Sequence, residues 1–202
     1  MRIERYLKFN TLNLFLVKFS DFVGKDTKNM YLVHYVTTIR RYFYFSEIQV
    51  RLFSEVVEKE FARDNNTNYT ERGDSHCFAF YALIRTCLEA EKRVSDFIQK
   101  FDHSDELKNY LLDNEKSIKN IIKTANLFVK HPLIDPSRKR FEFYQPGSLD
   151  ISGNVGMYEW SSKNDTHFEV PEVNPVEDCD KVFKYLEGLA VIYMNIINGS
   201  AR

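Results

Sequence analysis

The residues best suited to chemistry lie in one lysine-rich stretch and just beyond it. Four lysines recur there at intervals of three, four and seven residues, which places them on roughly one face of a helix. They are Lys116, Lys119, Lys123 and Lys130, and Asn126 lies in line between the last two. Positive residues then continue as His131, Arg138, Lys139 and Arg140, with Asp135 as the one acid among them.

This basic cluster, residues 116–140, is the densest concentration of positive charge in the chain. It predicts a surface that binds the phosphate groups of RNA or of a nucleotide. The alternative is a solvated helix face whose cations lie favourably near the negative end of the helix dipole.

His131 is the histidine best placed for proton transfer. It would lie at a helix end beside cations that favour its neutral form and stabilise an anionic intermediate. In such a site Asn126 would orient the phosphate, and Lys123 and Lys130 would stabilise the charge that develops on it. The alternative is that the imidazole bonds a terminal carbonyl of the helix.

No metal site or cofactor is expected from the sequence. The remaining histidines form no H-E-x-x-H, H-x-H or E-x-x-H pattern; they are His34, His76, His103 and His167. The phosphate-binding and dinucleotide-binding glycine motifs and the G-x-S-x-G nucleophile motif do not occur in the chain.

The composition is that of an ordinary globular chain. Of 202 residues, 44% are apolar and 28% are charged, which is typical neither of a disordered nor of a membrane protein. The net charge of −1 supplies no overall field to attract nucleic acid or an anionic membrane. Three cysteines without C-x-x-C spacing suit reduced thiols, so we expect a cytoplasmic protein that does not enter a membrane.

Four helices are predicted in the first 131 residues. Apolar residues at three- and four-residue steps predict a helix from Asn10 or Thr11 to about Gly24. The stretch 29–63 lacks Gly and Pro and predicts a second helix, in which Glu47 belongs to a ladder of charges away from the core face. After a polar loop at 64–75, a third helix would be capped by Asp74 or Ser75, would bury Phe78 and would end near residue 100. A fourth would run from residue 104 to the residue before Pro132.

The remainder of the chain alternates short apolar stretches with turn residues. The segments 140–144, 149–152, 155–160 and 166–170 predict two to four antiparallel strands. Asn174 and Pro175 then predict the start of a closing helix that ends at Gly199. We therefore predict a mainly α fold in one domain, residues 1–202. It would be a bundle of about five helices (1–131 and 174–199) with a small antiparallel β-meander (about 138–171) inserted before the C-terminal helix.

The spacing from Asn126 to His131, near the end of a late bundle helix, resembles part of the R-x4-6-H motif of HEPN-domain proteins, in which a polar residue often follows the arginine. HEPN domains are small helical bundles. Many are RNA-cleaving toxins or defence ribonucleases, and others are non-catalytic binding or antitoxin-like relatives. The resemblance covers one helix end. The chain departs from the motif at Ala125, where the family's arginine would lie, and at Pro132. The resemblance implies either a non-catalytic relative or one in which Lys123 or Lys130 supplies the missing charge.

Three functions follow as hypotheses. The first is a cytoplasmic, non-enzymatic interaction or regulatory protein of HEPN-like build, which binds a protein partner or forms a homodimer through its aromatic-rich second helix. The second is a metal-independent ribonuclease that uses His131 and Asn126. The third is a module that binds RNA or nucleotide phosphate through Lys119, Lys123, Lys130, Arg138, Lys139 and Arg140.

Overall fold

The structure is a computed structural model that describes residues 10–23, 30–63, 71–101, 104–130, 142–149, 153–161 and 166–200. Five helices lie within this part of the chain, and they confirm the predicted mainly α bundle. They are α1 (Asn10–Val23), α2 (Met30–Arg63), α3 (Glu71–Ile98), α4 (Asp105–Lys130) and α5 (Pro175–Ser200). None of these described helices is both long and apolar enough to cross a membrane.

The helices pack together because each carries apolar side chains at helical spacing. In α1 these are Leu12, Phe15, Phe19 and Val23, and all four are buried. α2 repeats the pattern along its length, and its contact with α3 is the most extensive between any two described helices. The core therefore lies along the apolar faces that the periodicity predicts.

α5 is the central helix, because it contacts each of the other four described helices. Its start agrees with the prediction: Pro175 occupies the first helical position, and Asn174 is the cap. The Oδ1 atom of Asn174 accepts hydrogen bonds from the backbone N–H groups of Val176 at 3.0 Å and Glu177 at 3.2 Å. These bonds satisfy donors that the helix itself cannot pair.

Between α4 and α5 lie three strand segments, β1 (Glu142–Leu149), β2 (Val155–Ser161) and β3 (Thr166–Val173). They pair antiparallel in the order β1-β2-β3. Among their side chains, the structure describes Val155, which is buried, and Val173, which packs against the core. The linking residues and most strand side chains lie outside the described part.

Three details of the predicted helices are wrong. α3 begins at Glu71, so Asp74 and Ser75 lie inside the helix instead of capping it. Phe78 is 41% exposed, because the core face of α3 follows Cys77 and Phe80. Glu47 is buried, because it shares the helical phase of the core residues Phe43 and Val50.

The middle of α4 stands off from the bundle. Leu107 near its start is buried, and so are Ile118, Ile121, Ala125 and Phe128 further along, but none of residues 108–117 is buried. A helix held at its two ends and not between them leaves space beside the neighbouring helix.

Two aromatic contacts hold α4 in this position. Near its start, the Tyr110 ring stacks on the Tyr185 ring of α5 with centroids 6.0 Å apart, and the Tyr110 hydroxyl donates to the Tyr185 carbonyl oxygen at 3.2 Å. Near its end, Phe128 stacks on Tyr81 of α3 with centroids 4.9 Å apart.

Candidate ligand-binding groove

A groove with a volume of about 660 Å³ lies between α3 and α4, along the stretch where α4 stands off. Its apolar lining consists of Leu88, Leu111, Leu112, Ile118 and Ile122. Leu112 is 67% exposed, which is unusual for a leucine and places it at the open edge. The volume falls in the range of about 300–1,000 Å³ that small organic ligands occupy in proteins.

The groove also contacts buried polar residues from two helices. Glu91 and Ser95 lie four residues apart on α3 and therefore share one face of that helix. Tyr185 reaches the same place from α5. Only 4% of the Glu91 side chain surface is exposed, and Ser95 and Tyr185 are buried as well. Polar groups thus line the inner side of the groove, and apolar groups line its walls.

Hydroxyl groups surround the Glu91 carboxyl group. Ser95 Oγ and the Tyr193 hydroxyl, 2.9 Å away, both bond Oε1, and the Tyr185 hydroxyl bonds Oε2 at 3.0 Å. Ser95 Oγ also lies 2.5 Å from the Tyr193 hydroxyl oxygen. We call these four residues, Glu91, Ser95, Tyr185 and Tyr193, the polar cluster.

Burial changes the acidity of the polar cluster. Loss of solvation raises the pKa of the Glu91 carboxyl; the hydrogen bonds from Ser95, Tyr193 and Tyr185 act in the opposite direction, and the charge of Asp96 raises it further. Burial, followed by the charge of Glu91, also raises the pKa values of Tyr185 and Tyr193. Among the described residues, no lysine, arginine or histidine forms an ion pair with Glu91.

The geometry of the polar cluster gives a second reason to expect a protonated carboxyl group. Glu91 Oε1, Ser95 Oγ and the Tyr193 hydroxyl oxygen make three mutual contacts. The two hydroxyl groups carry only two protons, so an ionised carboxylate would leave one contact without a hydrogen. A proton on Glu91 supplies the third, and each oxygen can then donate once and accept once.

The outer edge of the groove carries charges of both signs, and most of them are paired. Lys108 pairs with Asp105 at 2.9 Å and Lys119 with Glu115 at 2.6 Å. The residues at this edge are Glu89, Lys92, Asp96, Lys108, Glu115 and Lys119. Exposed pairs of this kind contribute about 0–1 kcal/mol each, so they add little to stability.

The predicted phosphate-binding residues are partly within the described structure. Lys116, Lys119 and Lys123 are all exposed on α4, and Lys119 faces Glu115 as described above. For Lys130 the backbone is described as the last residue of α4. The other predicted members, His131, Arg138, Lys139 and Arg140, lie outside the described residues, as does the segment that would bring them together.

The two residues of the R-x4-6-H comparison that are described both face inward to some degree. Ala125, at the position of the family's arginine, is fully buried. Asn126 is half-buried, and its Oδ1 atom is buried without a hydrogen-bond partner among the described residues. Asn126 therefore does not share the solvent-exposed position of Lys119 and Lys123.

Two further predictions concern metal ligands and the aromatic second helix. Among the described residues no group of three His, Cys, Asp or Glu side chains converges as a metal site would require.

In α2, Phe43 is buried in the core, whereas Tyr31 and Phe45 are exposed. The aromatic side chains of α2 therefore contribute both to the core and to the outer surface.

The polar cluster was not predicted from the sequence. One signal was present in α3, because Glu91 occupies a core position in the repeat formed by Ile84, Leu88, Val94 and Ile98. A carboxyl group at such a position requires polar partners in the interior. The partners could not be identified from local spacing, since Tyr185 and Tyr193 lie 94 and 102 residues away.

Comparison of this chain with models of protein families, with curated proteins and with solved structures finds no match in any of the three.

Proposed function

We propose that the protein is a cytoplasmic, non-enzymatic regulatory protein of HEPN-like build that binds a small organic molecule in the groove between α3 and α4. The observation that carries this proposal is the groove itself: an apolar cleft of about 660 Å³ that ends on buried polar groups. Apolar walls with a few converging polar groups are the usual composition of a ligand site.

Binding fits the polar cluster better than catalysis. Both carboxyl oxygens of Glu91 already accept hydrogen bonds from hydroxyl groups, and the side chain is buried. A general acid or base must lie within hydrogen-bond reach of a proton of the substrate, whereas the described partners of Glu91 are hydroxyl groups of the protein. The same arrangement is well suited to orient one polar end of a ligand.

The ribonuclease and the phosphate-binding functions are the alternatives. They depend on His131 and on the segment 138–140, which lie outside the described residues, and on lysines that point into solvent. The groove, in contrast, consists of described residues and supports the binding function directly. A homodimer through α2 belongs to the proposal as well; its support is the exposure of Tyr31 and Phe45, and its test is sedimentation equilibrium.

The proposed function is tested with Nile red, a neutral dye that fluoresces in apolar surroundings. We expect saturable binding of one dye per chain. Leu112→Ser removes an exposed apolar side chain from the groove without disturbing the core, and it should weaken binding about threefold to tenfold.

The matched control is Leu14→Ser, which removes an exposed leucine from α1, away from the groove. This variant should bind the dye as the wild type does. Dye binding that does not saturate, or that Leu112→Ser leaves unchanged, would show that the groove is not the binding site.

A further inference from the structure

We propose that the ligand of the groove is an organic cation, whose ammonium group binds at Glu91 and whose apolar body lies against the walls formed by α3 and α4. This inference rests on the proposed function, because it names the class of molecule that the same groove would bind.

The first argument is the set of partners around Glu91. Its three hydrogen-bond partners are hydroxyl groups, and no described cation forms an ion pair with it. A buried carboxyl group that is to become charged needs a positive partner, because hydroxyl groups compensate only part of the lost hydration. A cationic ligand would supply that charge, which no described side chain supplies by an ion pair.

The lysines that line the groove form no described ion pair with Glu91. Lys108 and Lys119 are both exposed and engaged with acids of their own helix. Lys92 is exposed on α3. A cationic ligand therefore meets a buried acid at the inner side of the groove and does not displace an existing buried ion pair.

The hydrogen-bond donors of an ammonium group also match the acceptor atoms of Glu91 and Ser95. An ammonium group carries three donors and no acceptor. Glu91 and Ser95 line the groove and together carry three oxygen atoms of the type that accepts hydrogen bonds: the two carboxyl oxygens of Glu91 and Ser95 Oγ. An anionic ligand would instead lie next to an acid. A neutral ligand would leave the carboxyl group protonated and would gain no charge interaction.

Burial raises the pKa of Glu91 and a neighbouring positive charge lowers it, so binding of the cation should release a proton from this carboxyl group. The other titratable or charged groups near Glu91 lie on three helices. They are Cys87, Glu89, Lys92 and Asp96 on α3, Lys108, Glu115 and Lys119 on α4, and Tyr185 and Tyr193 on α5. Burial and the charge of Glu91 raise the pKa values of Cys87, Tyr185 and Tyr193, so these three stay neutral when the cation binds.

The test compares two probes of nearly equal shape, 4-phenylbutylamine and 4-phenylbutan-1-ol, by titration calorimetry. At pH 7.5 the amine is a cation and the alcohol is neutral. We expect the wild type to bind the amine at least tenfold more tightly than the alcohol. The preference should increase with pH from 5 to 7.5, and the heat of amine binding should depend on the ionisation enthalpy of the buffer, because a proton is released.

The matched variant is Glu91→Gln, which keeps the size and the hydrogen-bonding capacity of the side chain and cannot become charged. It should lose the preference for the amine over the alcohol. Glu115→Gln, which removes an exposed carboxyl group from the outer edge of the groove, should keep that preference within about twofold.

The outcomes separate the two proposals. Equal affinities for amine and alcohol in the wild type, or a preference that persists in Glu91→Gln, would overturn the inference about the cation and leave the groove as a binding site. Saturable Nile red binding without amine binding would also overturn it. If neither the dye nor either probe binds the folded wild type, the proposed function itself fails.

Discussion

Gly188 of α5 lies directly beneath the Tyr110 hydroxyl group of α4. A Cβ atom at position 188 would come within 2.1 Å of that hydroxyl oxygen. The absence of a side chain at 188 therefore allows Tyr110 to reach the Tyr185 carbonyl oxygen and to stack on the Tyr185 ring. This contact holds one end of α4 and so helps to set the width of the groove.

Gly188→Ala should destabilise the protein, although alanine is the better helix former. The methyl group would displace Tyr110 and disrupt its stacking and its hydrogen bond, at a cost of about 1–3 kcal/mol for overpacking. The gain in helix propensity offsets about 1 kcal/mol of this. Urea unfolding should show a net loss of about 1 kcal/mol.

Two controls isolate the cause of that loss. In a Tyr110→Ala background the clash is absent, and Gly188→Ala should instead stabilise the protein by about 0.5–1 kcal/mol. Gly199→Ala, a glycine of the same helix with no atom near its Cβ position, should not destabilise the protein. Equal effects of the substitution at 188 in both backgrounds would show that Tyr110 is not the cause.

Glu91→Gln should change how stability depends on pH. Because burial raises the pKa of Glu91 in the folded state, this group contributes most to stability below its ordinary pKa of 4.5. The contribution falls as pH rises from there to the folded pKa. Glutamine has no proton to lose, so the variant should become more stable relative to the wild type as pH increases, by about 1.4 kcal/mol per unit of pKa shift.

The measurement is urea unfolding of both proteins at several pH values from 4 to 8. Glu89→Gln provides the comparison, since it makes the same substitution at an exposed side chain of the same helix. A difference between Glu91→Gln and the wild type that is constant over this range would mean that Glu91 does not titrate differently in the folded protein.

The lysines of the exposed α4 face should be dispensable for folding. Lys123→Ala should change the free energy of unfolding by no more than about 0.5 kcal/mol, because the side chain is exposed.

Under the proposed function, the purified wild type and His131→Ala should both leave a labelled mixed-sequence RNA uncleaved in EDTA. Cleavage by the wild type that His131→Ala abolishes would establish the ribonuclease alternative in place of the binding function.

The helices could be predicted from the sequence because their signals are local. Apolar spacing within α1 and α2 and the Asn174–Pro175 start of α5 depend on residues a few positions apart. The errors arose where one position has two plausible environments. Glu47 was assigned to the surface because it is charged, yet its helical phase places it in the core.

The groove could not be predicted in the same way, because its width is set by the distance between two helices. That distance depends on Tyr110, Tyr185 and Gly188, which meet only in the folded bundle. Two members of the polar cluster, Glu91 and Ser95, could have been identified from the sequence, because they are polar residues at core positions of α3. Their tyrosine partners belong to a different helix and carry no local sign of their role.

The hydrogen bond between Glu91 and Tyr193 joins α3 to α5 across 102 positions of the chain. Such a contact forms only after a long segment has closed, whereas helical turns form from neighbouring residues. During refolding from urea, the far-ultraviolet circular dichroism signal should therefore recover before the capacity to bind dye. Recovery of dye binding would then report when this long-range contact between α3 and α5 has closed.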